Sequence, residues 1–152
     1  MDRIERNKRA VTRVFTEAFN DGHLEVIDEI VGSLTLDHQH ADEPDFVVHL
    51  KAVVTAFRTA FPDLHFELVQ MVGEDDWVAV YSVMTGTHTG VLAAPLVPRV
   101  GPPVIPPTGK RIRVPHMHMI RMAGQAGDLY HLMDTFAMLG QLGLLPARGS
   151  ID

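Results

Sequence analysis

The sequence has no cysteine. That absence excludes a disulfide framework, a thiol nucleophile, cysteine-ligated zinc and iron–sulfur clusters, and it agrees with a reducing, cytoplasmic setting. Long apolar runs are missing too: none approaches the roughly 20 residues that a membrane span needs. Residues 1–10 are charged and lack the apolar core of a signal segment. Basic charge is in deficit, with 13 Lys+Arg against 19 Asp+Glu and a net charge of −6. Such a chain is a poor candidate for gripping phosphate backbones, so no nucleic-acid partner is expected. What is present is an ordinary hydrophobic share, 46% of 152 residues, enough for one domain over 1–152 with a buried core. Nine histidines stand out as the residue type to follow.

Hydrophobic spacing divides the chain. Ile4, Val11, Phe15, Ala18 and Phe19 recur near 3.6 residues and predict a first helix, ended at Asn20-Asp21-Gly22. A short helix follows over 24–31 and a weakly alternating strand over 33–41. Pro44-Asp45 opens a third helix with the stripe Phe46, Leu50, Val53, Val54, Phe57 and Phe61, stopped by Pro62. The period then becomes two. Strands are predicted over 64–72 and 77–88, joined by a turn at 73–76. Residues 92–108 hold six of the ten prolines and read as a long loop, a candidate lid over a pocket. Strands over 110–122 and 128–134 follow, with a turn at 124–127, then a short helix or docking segment over 136–145. There is no internal repeat and no linker. The expected fold is α+β: a curved, mostly antiparallel sheet with three N-terminal helices across one face, forming a cone with an internal pocket.

Two groups of residues could carry chemistry. On the strand over 110–122, His116 and His118 share a face with Ile112, Val114 and Ile120, because side chains alternate. They read either as satisfied buried imidazoles or as a polar spot in an apolar pocket, where a shifted pKa suits acid–base work. His38 and His40 repeat the His-x-His spacing. Four imidazoles could together hold zinc, iron or copper, but no acidic ligand stands at a recognisable spacing and His-Glu-x-x-His is absent, so no metal is expected. Asp134 closes the last strand. It reads either as a carboxylate with a pKa raised by apolar surroundings or as the N-cap of a helix begun by Thr135-Phe136-Ala137. His23, His49 and His65 read as surface or structural, and His131 as facing away from Asp134. Phosphate-binding and serine-nucleophile motifs are absent.

Five segments, in order, resemble SnoaL-like polyketide cyclases of the nuclear-transport-factor-like superfamily. They are residues 19–24 (Phe-Asn-Asp-Gly-His-Leu), 60–64, 84–90, 106–111, and Asp134 followed by Leu139-Gly140-Gln141-Leu142-Gly143. The resemblance implies an α+β cone that forms a dimer or higher homo-oligomer. It implies an enzyme without metal or organic cofactor that closes a ring in a small-molecule polyketide ester by intramolecular aldol condensation. The family's acid–base aspartate falls on Asp134, its partner histidine on His118 or His116, and its aromatic residue, usually Trp, on Tyr130. Candidate substrate contacts are Tyr130, His38, His40, His88, Trp77, Phe15, Phe57 and Met84. The segment 91–105 is longer than the family's usual connection. Hydroxylation, isomerisation and ligand binding without catalysis are the alternatives on the same fold.

Overall fold

A computed structural model of the chain describes residues 1–96 and 103–146. Positions 97–102 of the proline-rich segment lie outside the described residues.

Helix α1, Arg3–Arg13, starts at Asp2, whose carboxylate accepts the Glu5 amide, and continues as a π-helical stretch, Val14–Asn20. Gly22 ends it at φ 82°, a left-handed conformation that favours glycine. Helix α2 is Glu25–Ile30 and strand β1 is Val31–Asp37. Helix α3, Phe46–Ala60, is capped by Asp45, which accepts the amides of Val47 and Val48. Strands β2 (His65–Glu74) and β3 (Trp77–Thr87) form the expected hairpin. Two-residue strands β4 (Leu92–Ala93) and β5 (Val104–Ile105) pair with each other at the ends of the proline-rich segment. Strands β6 (Arg111–Ala123) and β7 (Gln125–Met133) precede helix α4, Thr135–Gln141.

The main sheet has the order β1-β7-β6-β3-β2, antiparallel except for the parallel β1–β7 pair. The α+β fold, with three N-terminal helices against a curved, mostly antiparallel sheet, is the one expected. Of the boundaries that differ, two bear on the site. β1 stops at Asp37, so residues 38–40 are turn and not strand. β7 begins at Gln125, because Gln125 pairs directly with Ala123 around Gly124 at φ 87°.

Alternation decides what is buried. Val78, Val80, Met84, Ile112 and Val114 point from the sheet onto Phe15, Phe19, Val54, Phe57 and Phe61 of the helical layer, and all are buried. Each such side chain contributes about 1.5–3 kcal/mol relative to exposure. At Gly90 a Cβ would lie 1.8 Å from the Thr59 carbonyl oxygen. Only glycine lets the chain cross the end of α3 there, and it does so with its amide bonded to Ala60 O at 3.1 Å. The opposite face of the sheet is mixed, with Met117 55% and Leu132 73% exposed beside Arg113 and the Arg121–Asp128 ion pair.

Candidate active site

A cavity of about 370 Å³ lies between the inner face of the sheet and the helices. Most of its walls are apolar, including Phe15, Phe19, Val53 and Phe57 from the helical side and Ile120 and Met133 from the sheet. Into it come Asp37, His40, His49, His116, His118 and His131.

Asp37 reaches the cavity because β1 is irregular. Its register against β7 shifts between Val31 and Leu36. Thr35 and Asp37 are buried while Leu34 and Leu36 stay outside. The Thr35 hydroxyl donates to Ala126 O and holds the distortion. Asp37 is 3% exposed. Its Oδ2 lies 3.0 Å from His40 Nδ1 and 3.1 Å from His131 Nε2, and its Oδ1 accepts the Gln39 amide at 2.9 Å. Burial pushes the Asp37 carboxyl up, but the His131 hydrogen bond and charge, the Gln39 amide and His40 outweigh it and bring it down to about 2. An ionised carboxylate only accepts. Each imidazole therefore donates to it, and in the neutral form of each ring the lone pair falls on the other nitrogen, His131 Nδ1 and His40 Nε2.

The β6–β7 register places His118 opposite His131 and His116 opposite Met133. Residues directly opposite share a sheet face. The His116 and His118 ring centres are 4.1 Å apart, and His131 lies 5.9 and 6.0 Å from them. Burial, reinforced by His131, pushes His116 down to about 3. Burial, with His116 and His131, pushes His118 well below the ordinary range. Both rings are therefore neutral at physiological pH. Among the described residues, both ring nitrogens of His116 and Nδ1 of His118 are buried without a hydrogen-bond partner. A neutral imidazole keeps one N–H, so His116 holds an unanswered donor.

The structure places the expected site residues unevenly. His116, His118, His40, Phe15 and Phe57 line the cavity. Asp134 does not. It is exposed, its carboxylate accepts the Ala137 amide at 2.9 Å, and it caps α4. The physical reason is alternation along β7: the face of Leu129, His131 and Met133 turns inward, so Asp134 does not sit in apolar surroundings. Tyr130 lies on the outer face, where the His38 ring stacks on it at 4.0 Å and 4°, His38 Nε2 meets Asp128 at 3.1 Å, and Trp77 is 6.2 Å away. Tyr130, His38 and Trp77 are thus separated from the cavity by the sheet. Met84 belongs to the core. His88 is fully buried, and its Nδ1 accepts the Thr108 amide at 3.2 Å, pinning the return of the proline-rich segment. Because His38 is outside, the four histidines considered for a metal do not converge.

Three site residues escaped the sequence reading. His49, expected at the surface or in a structural role, is buried in the cavity wall, and its ring centre is 5.2 Å from that of His40. His131 was legible in principle, since pairing across a tight turn puts it beside His118. Asp37 was not, because a distorted edge strand breaks the alternation that would assign its face. Of the proline-rich segment, Pro95 and Leu96 contribute to the cavity.

The sequence pattern described as SnoaL-like polyketide cyclase matches residues 9–142. No curated protein matches the chain. Among solved structures, TsrD from Streptomyces laurentii superposes with a TM-score of 0.77 at 22% identity, covering 95% of this chain and 99% of that one. A protein from Jannaschia sp. CCS1, assigned as a SnoaL-like polyketide cyclase, gives 0.74 at 23% identity over 96% of this chain and 99% of that one. AclR from Streptomyces galilaeus, assigned as a hydroxylase, gives 0.72 at 21% identity over 97% and 91%. At these identities the likeness is one of fold.

Proposed function

The chain belongs to the SnoaL-like polyketide cyclase family, and from that premise we propose that it closes a ring in an aromatic polyketide ester by an intramolecular aldol-type reaction, with its own Asp and His residues and no cofactor. The observation that carries this reading is a buried carboxylate 3.1 Å from an imidazole nitrogen in a largely apolar cavity. Asp37 holds the His131 Nε2–H, which aims the Nδ1 lone pair as the base. His131 takes a proton α to a carbonyl. The enolate carbon adds to a second carbonyl of the same molecule, one C–C bond forms, and the attacked carbonyl becomes an alkoxide. The proton on His131 returns to that alkoxide, so substrate and aldol product have the same composition. His116 and His118, kept neutral by burial, supply N–H donors to the developing oxyanion. The apolar walls fold the substrate toward the attack geometry, and the volume lies in the range that holds a drug-sized ligand. Asp134, the base implied by the resemblance, acts in this reading as the cap of α4.

The same reading includes a homodimer. Leu34, Leu36, Met117, Met119, Tyr130 and Leu132 are exposed, and exposed apolar residues of this number on one face are what a second copy can cover.

The test is turnover of an aromatic polyketide ester by the purified chain in chelated buffer, followed by mass spectrometry and an oxygen electrode. The expected product is an isomer of the substrate, or its dehydration product, formed without oxygen uptake. Oxygen uptake with a hydroxylated product would replace this reading with hydroxylation. Tight binding without turnover would replace it with a binding protein.

A further inference from the structure

We infer that Asp37, His40 and His131 form a site for one divalent transition metal ion, and that the metal-loaded chain is catalytically silent. The three ligand atoms all lie within 4.8 Å of one another. The two separations to Asp37 Oδ2 are 3.0 and 3.1 Å. Zinc bonds of about 2.0–2.2 Å put neighbouring corners of a tetrahedron roughly 3.3 Å apart, so the carboxylate and both imidazoles already stand near coordinating distance. The two imidazole nitrogens are within 4.8 Å of each other, and His40 stands in the turn after β1.

The donor set fits the ion. Two neutral imidazoles and one carboxylate suit Zn²⁺ and its neighbours in the first transition row rather than Ca²⁺ or Mg²⁺, which take oxygen. The second oxygen of Asp37 is fixed by the Gln39 amide, the outer support that orients ligating carboxylates. An entry route exists, because the His40 side chain is 42% exposed while that of Asp37 is 3% exposed. All three side chains also line the cavity.

Metal and proton transfer compete for the same ring. In the metal-free chain His131 carries its proton on Nε2 and offers Nδ1 as the base. A metal on Nε2 moves that proton to Nδ1, and the lone pair needed for catalysis is gone. Binding of metal is independent of what the enzyme does; only the loss of activity rests on the cyclase reading.

The experiment uses the full, untagged chain, stripped with EDTA and titrated with ZnCl₂ by calorimetry, with Co²⁺ absorption as a second probe of the native protein. The expected result is one Zn²⁺ per chain, a raised melting temperature, and Co²⁺ bands of a low-coordinate nitrogen–oxygen site. His40→Ala should weaken binding by about tenfold or more, while His23→Ala and His65→Ala, at exposed positions, should leave it unchanged. No stoichiometric binding, or binding indifferent to His40→Ala, would overturn the site. Zinc should also abolish turnover and EDTA restore it. Binding without inhibition would overturn the competition while leaving the site standing. Full activity of Asp37→Asn in chelated buffer would instead count against the cyclase assignment alone.

Discussion

Asp37 and His131 stand 94 residues apart in the chain and 3.1 Å apart in the cavity wall. The parallel pairing of β1 with β7 brings them together. A distorted edge strand supplies the carboxylate and a regular strand supplies the imidazole, so the pair is a product of topology and not of a local motif.

His116 holds a donor that nothing among the described residues accepts. Replacing a buried, unsatisfied polar group by an apolar one of similar shape is neutral or stabilising. His116→Phe should therefore keep or raise the melting temperature. It should also lower kcat by about 10²-fold, the scale of losing one oxyanion donor. Calorimetry and steady-state kinetics on the one variant check both halves; a lower melting temperature with full kcat would contradict them.

Stability should depend on pH in a defined window. His116 is held at about 3 and His118 is also depressed, in both cases first by burial. An unfolded histidine titrates near 6.5. Between that value and the native one, the unfolded chain binds protons that the native chain refuses. Stability is thus complete above about pH 6.5 and falls as the pH drops from there toward 3. Each such histidine contributes a slope of about 1.4 kcal/mol per pH unit. Urea unfolding in EDTA at pH 7 and pH 5 measures this, and equal stability at the two values would count against neutral buried imidazoles.

The outer sheet face should hold a dimer. Met117→Lys and Leu132→Lys place charge where both residues are more than half exposed. They should convert the protein to monomer in sedimentation with little change in monomer fold. A wild-type protein that sediments as a monomer would remove the dimer.

Asp134 should matter for stability through its cap and little for the chemistry. Asp134→Ala loses the bond to the Ala137 amide and should cost about 1 kcal/mol. Asn caps a helix about as well as Asp, so Asp134→Asn should leave unfolding curves unchanged.

Much of the fold could be read from residue order. The stripe from Phe46 to Phe61, the period-two runs and the proline density give the elements, because burial imposes those spacings. His116 and His118 were legible for the same reason: they alternate with Ile112, Val114 and Ile120 on a face that has to be buried. Asp134 stayed open between two readings because a strand-end carboxylate and a helix cap have the same sequence signature, and the bond to the Ala137 amide shows the cap. His38 and His40 share a spacing that suggested a common face, yet the turn after Asp37 sends His38 onto Tyr130 and His40 into the cavity. Asp37 depends on a bulge and a long-range parallel pairing, neither of which leaves a local trace.

The most direct test compares two carboxamide variants in one assay: kcat of Asp37→Asn and of Asp134→Asn on an aromatic polyketide ester in chelated buffer. An amide at position 37 has one accepting oxygen and cannot serve both the imidazoles on Oδ2 and the Gln39 amide on Oδ1, so kcat should fall by about 10²–10⁴-fold, while Asp134→Asn stays within a few-fold of wild type. Loss of activity in Asp134→Asn with Asp37→Asn unimpaired would contradict the account.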